Sequence, residues 1–258
     1  MDRIGFIGTG VIAGAMARGI AGQGYDILVS QRGSAMAARL VDEIADVSMA
    51  PNAEVVERSD MVVLCLMADQ AEAAVKDLPW RAGQVVLSVM ADVTVARVES
   101  LVAPAGPVAR TIPLPFIARG GCPLPVFPAS RALEEVFGDR NAVFEVRDEA
   151  ALEAHMVVTA LASTILDELR AGSNWLASHT GNREGAVRYT LATLSGYLAD
   201  LTLGEGADLI DDALADLSTA GGFNATLRDR MRAAGMTETL QEGLAELGKR
   251  VGLGPSGG

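Results

Sequence analysis

Gly5-Phe6-Ile7-Gly8-Thr9-Gly10-Val11-Ile12-Ala13, near the start of the 258-residue chain, is the stretch whose reading decides the fold. The apolar run 4–7 reads as a buried strand, and the residues after Gly10 read as a helix. Between them, Gly8 suits a tight turn, Gly10 lets backbone approach a pyrophosphate, and the small Ala13 lets the helix pack on the strand. The helix start then offers unpaired N–H groups and the positive end of a dipole to phosphates. Because the glycines lie between a strand and a helix, they read as a dinucleotide loop.

Working outward, further apolar runs at 25–29, 61–67, 85–89, 108–112 and 142–146 alternate with helix-like segments, including 11–22, 34–45 and 94–102. Continuous apolar runs mark strands buried on both faces, and the alternation implies right-handed crossovers in a mainly parallel sheet. The fold class expected is α/β, a doubly wound Rossmann sheet over residues 1–147. From 148 to 258 strand-like runs stop, and Ala/Leu-rich segments predict an all-helical domain. Its helices are placed at 149–169, 183–203, 207–217 and 236–251. Several apolar faces compete for too little core, and a helical domain of this size could pack alone or equally pair with a second copy, so a homodimer or higher homo-oligomer is the expectation.

Composition excludes several functions. The net charge of -12 repels nucleic acid and anionic lipid, and Lys and Arg form no patch. No uninterrupted apolar run approaches the roughly 20 residues that span a bilayer. Two distant cysteines, Cys65 and Cys122, give no disulfide framework, so a cytoplasmic protein acting on a small molecule is expected.

At the end of the second strand an NAD site would carry Asp or Glu for the ribose hydroxyls. Here Ser30-Gln31-Arg32-Gly33-Ser34 leaves room for a 2′-phosphate, with Arg32 as a charge-assisted fork and Ser30 or Ser34 as a hydroxyl, so NADP is the expected cofactor. The only lysines, Lys76 and Lys249, fall in helical segments, and His155 and His179 lack an evident partner. A lysine-dependent hydroxyacid dehydrogenase is therefore disfavoured. Reduction of an imine asks less of the protein, because a protonated C=N is already electrophilic and needs mainly orientation and a hydrogen-bond donor. The segment Leu217-Ser218-Thr219-Ala220-Gly221-Gly222-Phe223-Asn224-Ala225 offers one place for it. The Gly221 and Gly222 amides could face a substrate carboxylate beside Thr219 and Asn224. The other reading of this segment is a simple turn capped by Ser218 or Thr219.

These features together resemble the pyrroline-5-carboxylate reductase family over nearly the whole chain. Besides the N-terminal loop and Ser30-Gln31-Arg32, the segments Asp60-Met61-Val62-Val63-Leu64, Leu87-Ser88-Val89 and Thr219-Ala220-Gly221-Gly222 look like their counterparts. The resemblance implies a Rossmann half, a helical dimerisation half, and NADPH-dependent reduction of a cyclic imino acid to an amino acid such as proline. It implies that the substrate carboxylate meets the Gly221-Gly222 loop at a dimer interface; beside it, Asn224 is the residue expected here to orient the substrate, with Thr219 near the carboxylate.

The chain also departs from the family pattern. Leu66-Met67-Ala68 stands where the family has Val-Lys-Pro beside the nicotinamide. Ile112-Pro113-Leu114-Pro115-Phe116 replaces Met-Pro-Asn-Thr-Pro, and Ala162-Ser163-Thr164 shortens a Ser-Gly-Ser-Gly-Pro break. Asn224 replaces the second threonine of the closing motif. Apolar groups in place of polar ones favour a more apolar or differently shaped substrate. An NADP-dependent keto-acid dehydrogenase and a non-catalytic NADP-binding sensor are the alternative readings.

Overall fold

The computed structural model describes residues 1–31, 34–202, 204 and 206–254. It divides into two compact units, Met1–Met156 and Val157–Gly258.

In the first unit, β1 (Arg3–Ile7), α1 (Val11–Ile20), β2 (Asp26–Ser30), α2 (Ser34–Glu43), β3 (Val47–Ala50), α3 (Asn52–Arg58), β4 (Met61–Leu64), α4 (Ala68–Val75), β5 (Val85–Ser88), α5 (Val95–Val102) and β6 (Val108–Thr111) follow one another. A 3-10 turn (Pro115–Arg119), β7 (Pro123–Phe127), α6 (Arg131–Phe137), β8 (Ala142–Glu145) and α7 (Glu149–Val158) complete it. Among the described residues the strands form one sheet in the order β3-β2-β1-β4-β5-β6-β7-β8. Every pairing is parallel except β6 with β7. The expected doubly wound sheet is therefore present, and the strand order reverses direction between β1 and β4, where a ligand crevice opens at the strands' carboxyl ends.

Alternate strand residues feed two cores. Phe6, Val29 and Val63 pack with Met16, Ile20 and Leu40 on one face, while Ile7, Leu28 and Leu64 pack with Val55, Val56 and Val98 on the other. Asp60 staples the start of the sheet. Burial alone raises its carboxyl pKa, but the N–H groups of Asp2 and Arg3 donate to Oδ2 at 2.9 and 3.0 Å and the net effect holds it below the usual carboxylate range.

Two strands escape the sequence reading. β3 is short and shows a buried-exposed-exposed-buried pattern instead of an apolar run. β7 contains Pro123 and Pro125, which cannot donate to a ladder and argue against a strand, yet it pairs on both sides. Part of its anchoring comes from Thr111, whose hydroxyl donates to the Pro125 carbonyl at 2.8 Å.

The second unit holds α8 (Leu161–Thr180), α9 (Arg183–Thr202), α10 (Leu209–Asp216), α11 (Phe223–Ala233) and α12 (Met236–Arg250). The helix expected over 149–169 is interrupted at Thr159-Ala160 and then runs on to Thr180. Its cause is local. The Ala160, Ala162 and Ser163 amides make bonds to carbonyls only three residues back, and the Ser163 and Thr164 hydroxyls bond back to the Ala160 and Leu161 carbonyls, competing with the ladder. The stretch Glu149–Thr180 is long and apolar enough by composition to cross a bilayer, but it opens on Glu149 and Glu153, both ion-paired with Arg110.

Candidate active site

The loop between β1 and α1 is built by three glycines with different tasks. Gly8 holds φ +89°, and a Cβ there would lie 2.4 Å from the Cys65 carbonyl oxygen at the end of β4. Both facts demand glycine. Gly14 lets α1 approach α2, since a Cβ would meet the Met36 sulfur at 3.0 Å. Gly10, the N-cap of α1, has neither constraint: its backbone is extended and a Cβ would meet nothing within 4 Å. The space above it is what an approaching pyrophosphate needs. The first ladder bond of α1 runs from the Gly14 N–H to the Gly10 carbonyl at 2.9 Å, so the Val11, Ile12 and Ala13 amides precede the ladder and can receive an anion. The chain's own residues thus fit a dinucleotide.

The end of β2 differs from expectation. Ser30 is fully buried, and its hydroxyl accepts the Gly8 N–H at 3.0 Å, so it does not project to where a 2′-phosphate would lie. Thr9 is buried too, its hydroxyl donating to the Ser30 carbonyl at 2.8 Å. Gln31 is exposed, with its N–H on the Ala50 carbonyl. Arg32 and the Ser34 side chain lie outside the described residues.

After β4, Leu66 is buried and Met67 is 69% exposed at the start of α4. Beside them burial raises the Cys65 thiol, which keeps it protonated and a poor nucleophile. Lys76 sits exposed at the far end of α4, and helices here run opposite to the strands, so it is remote from the carboxyl edge. His155 and His179 both place Nδ1 on a carbonyl of their own helix, Ala151 and Trp175 respectively.

Sequence reasoning missed Arg110. This guanidinium, on β6 two residues before Ile112, is 4% exposed and binds Glu149 and Glu153, each at 2.8 Å. It also donates to the Met90 carbonyl at 3.4 Å, while Glu149 accepts the Val95 N–H at 2.8 Å. The ends of β5 and β6 are thereby tied to α7. Arg at the end of an apolar run was the available signal, and only the fold supplies its partners.

In the second unit, Thr219, Gly221, Gly222 and Asn224 gather at the start of α11. Gly221 holds φ +72°, Gly222 donates to the Thr219 carbonyl at 2.9 Å and is the helix N-cap, and Phe223 and Asn224 are exposed. No side chain caps the helix; the Ser218 hydroxyl instead bonds back to the Leu214 carbonyl. The turn leaves first-turn amides open beside an exposed carboxamide and hydroxyl.

The fold and this loop define a class. Residues 3–92 match the family described as NADP oxidoreductase, coenzyme F420-dependent, so the nucleotide is NADP. The chain has the fold of pyrroline-5-carboxylate and imine reductases. Pyrroline-5-carboxylate reductase from Streptococcus pyogenes superposes with a TM-score of 0.82 at 16% identity, over 96% of this chain and 97% of that one. Pyrroline carboxylate reductase from Plasmodium falciparum, solved with NADP bound, gives 0.81 at 12% identity over 97% of each chain. A reductive aminase from Aspergillus terreus, in complex with NADPH and ethyl-5-oxohexanoate, gives 0.60 at 17% identity over 99% and 89%. No curated protein matches by sequence.

Proposed function

We propose that this chain reduces a cyclic imino acid with NADPH, 1-pyrroline-5-carboxylate to proline or a related imine, as a cytoplasmic homodimer or higher homo-oligomer. The observation that carries it is the end-to-end likeness to two pyrroline-5-carboxylate reductases, with open first-turn amides at both glycine loops.

Bound NADPH supplies the hydride. The protein's tasks are to hold the dinucleotide on the Gly8 to Ile12 loop, with Leu66 and Met67 beside it, and to orient the imine. The Gly222 amide is spent on the Thr219 carbonyl and not on the substrate as the sequence suggested. The Gly221 amide, the open first-turn amides of Phe223 and Asn224 and the Thr219 hydroxyl therefore receive the carboxylate, and the Asn224 carboxamide fixes the ring's position. A protonated C=N is already electrophilic, so orientation is the main demand on these residues. Leu114 and Phe116, in place of polar groups, favour a less polar ring than pyrroline-5-carboxylate.

The exposed face of α9 supports the oligomer. Val187, Leu191, Leu194 and Leu198, spaced four, three and four apart, form one exposed stripe, and Ala186 is the only buried residue of that helix. Such a seam needs a facing helix, which a second copy supplies.

NADPH oxidation measured against cyclic imines and 2-keto acids tests the reading, with turnover of an imine expected. Turnover of keto acids alone would make the protein a dehydrogenase, and NADPH binding without any turnover would make it a sensor. Asn224→Ala is expected to lower kcat/KM for the best imine by about 1 to 3 kcal/mol in transition-state energy. An unchanged kcat/KM removes Asn224 from the site.

A further inference from the structure

The hydroxyls of Ser30 and Thr9 are both buried and both spent inside the protein, although they stand at the two places that frame a dinucleotide. Their hydrogens can be placed by elimination. Thr9 Oγ1 donates to the Ser30 carbonyl at 2.8 Å. Its single hydrogen is then used, so in the 3.2 Å contact between the two hydroxyls Ser30 is the donor and Thr9 the acceptor. Ser30 Oγ in turn accepts the Gly8 N–H at 3.0 Å. The result is a closed relay, from Gly8 N–H through the Ser30 and Thr9 hydroxyls back to the Ser30 carbonyl, in which each bond polarises the next.

This relay pins the turn of the loop to the end of β2. On the other side the Cys65 N–H donates to the Ile7 carbonyl at 2.8 Å and Gly8 packs too closely on the Cys65 carbonyl to carry a side chain, so the turn lies between β2 and β4. Turned inward, the Thr9 side chain leaves open the space above Gly10, where a Cβ would meet nothing within 4 Å. A loop already held in its bound shape spares the ordering cost that binding would otherwise carry.

We propose that Ser30 and Thr9 form a hydroxyl latch that presets the phosphate loop for the dinucleotide without touching it. Both are positioning residues, and recognition of the 2′-phosphate falls to Gln31 and the residues after it. The inference rests on the NADP reading of the loop. It separates cleanly from direct contact with the 2′-phosphate, because a latch serves the pyrophosphate loop common to NADPH and NADH.

The test is titration of the full-length protein with NADPH and with NADH, for wild type, Ser30→Ala, Thr9→Val, the double variant and Thr9→Ser. Each hydroxyl deletion is expected to weaken both dinucleotides by about tenfold, leaving the NADPH/NADH ratio within twofold of wild type. The double variant should lose roughly ten- to twentyfold, far short of the hundredfold of independent sites, because either deletion opens the relay. Thr9→Ser keeps the hydroxyl and should bind within about twofold of wild type. Weakening of NADPH alone, additive losses, or lowered melting temperatures with unchanged dissociation constants would each overturn the latch. Should the wild type bind neither dinucleotide, the NADP reading fails and the latch with it.

Discussion

Replacing Leu191 and Leu194 together by glutamate is expected to yield a folded monomer that still binds NADPH but has lost at least about a hundredfold of its reductase activity. Both side chains are exposed in the single chain, so within one copy the substitutions cost little. Paired across a seam, they would bury carboxylates against apolar partners. Loss of about 4 kcal/mol or more, roughly a thousandfold in the dissociation constant, follows from that desolvation. Arg188 and Glu184, which bridge each other at 2.8 Å on the same helix, provide a control surface. An Arg188→Ala variant should remain dimeric. Light scattering after size exclusion reads the mass directly, and a double variant that stays dimeric and active would remove the α9 stripe from the interface.

Legibility in the sequence tracked how local each determinant is. The Gly8 to Ala13 loop could be read because its turn, its helix start and the strand before it are contiguous. The strands at β1, β2, β4, β5 and β6 announced themselves through continuous burial. β7 did not, because its two prolines speak against a ladder and only the neighbouring β6 and β8 make it a strand. Ser30 shows the same limit at the site. Its position at the end of β2 was legible and its residue type suggested a hydroxyl for the 2′-phosphate, but the direction of that hydroxyl is set by Gly8 and Thr9, some twenty residues away. The exposed stripe of α9 lay in plain view, yet an apolar helix reads alike whether its own domain or a second copy covers it.

A large stability effect is expected from a single substitution at Arg110. Arg110→Met keeps the length of the side chain and removes the cation, which leaves the Glu149 and Glu153 carboxylates facing an apolar group. Destabilisation of about 3 to 5 kcal/mol is expected, the usual consequence of stranding a buried partner. Two carboxyl groups share this one guanidinium, and among the described residues the buried Glu153 Oε2 and Arg110 Nε have no hydrogen-bond partner, so the cluster is incompletely satisfied even when intact. That makes a second variant informative. Adding Glu149→Gln and Glu153→Gln removes the stranded charges, while the amide oxygen that the first of these introduces can still accept the Val95 N–H that Glu149 accepts now. This triple variant should recover at least half of the lost stability in urea unfolding. If Arg110→Met alone shifts stability by less than about 1 kcal/mol, the cluster is not what holds the ends of β5 and β6 to α7. Recovery of stability without recovery of kcat would go further, showing that Arg110 fixes the strand ends beside the Ile112 to Phe116 segment more tightly than folding alone requires.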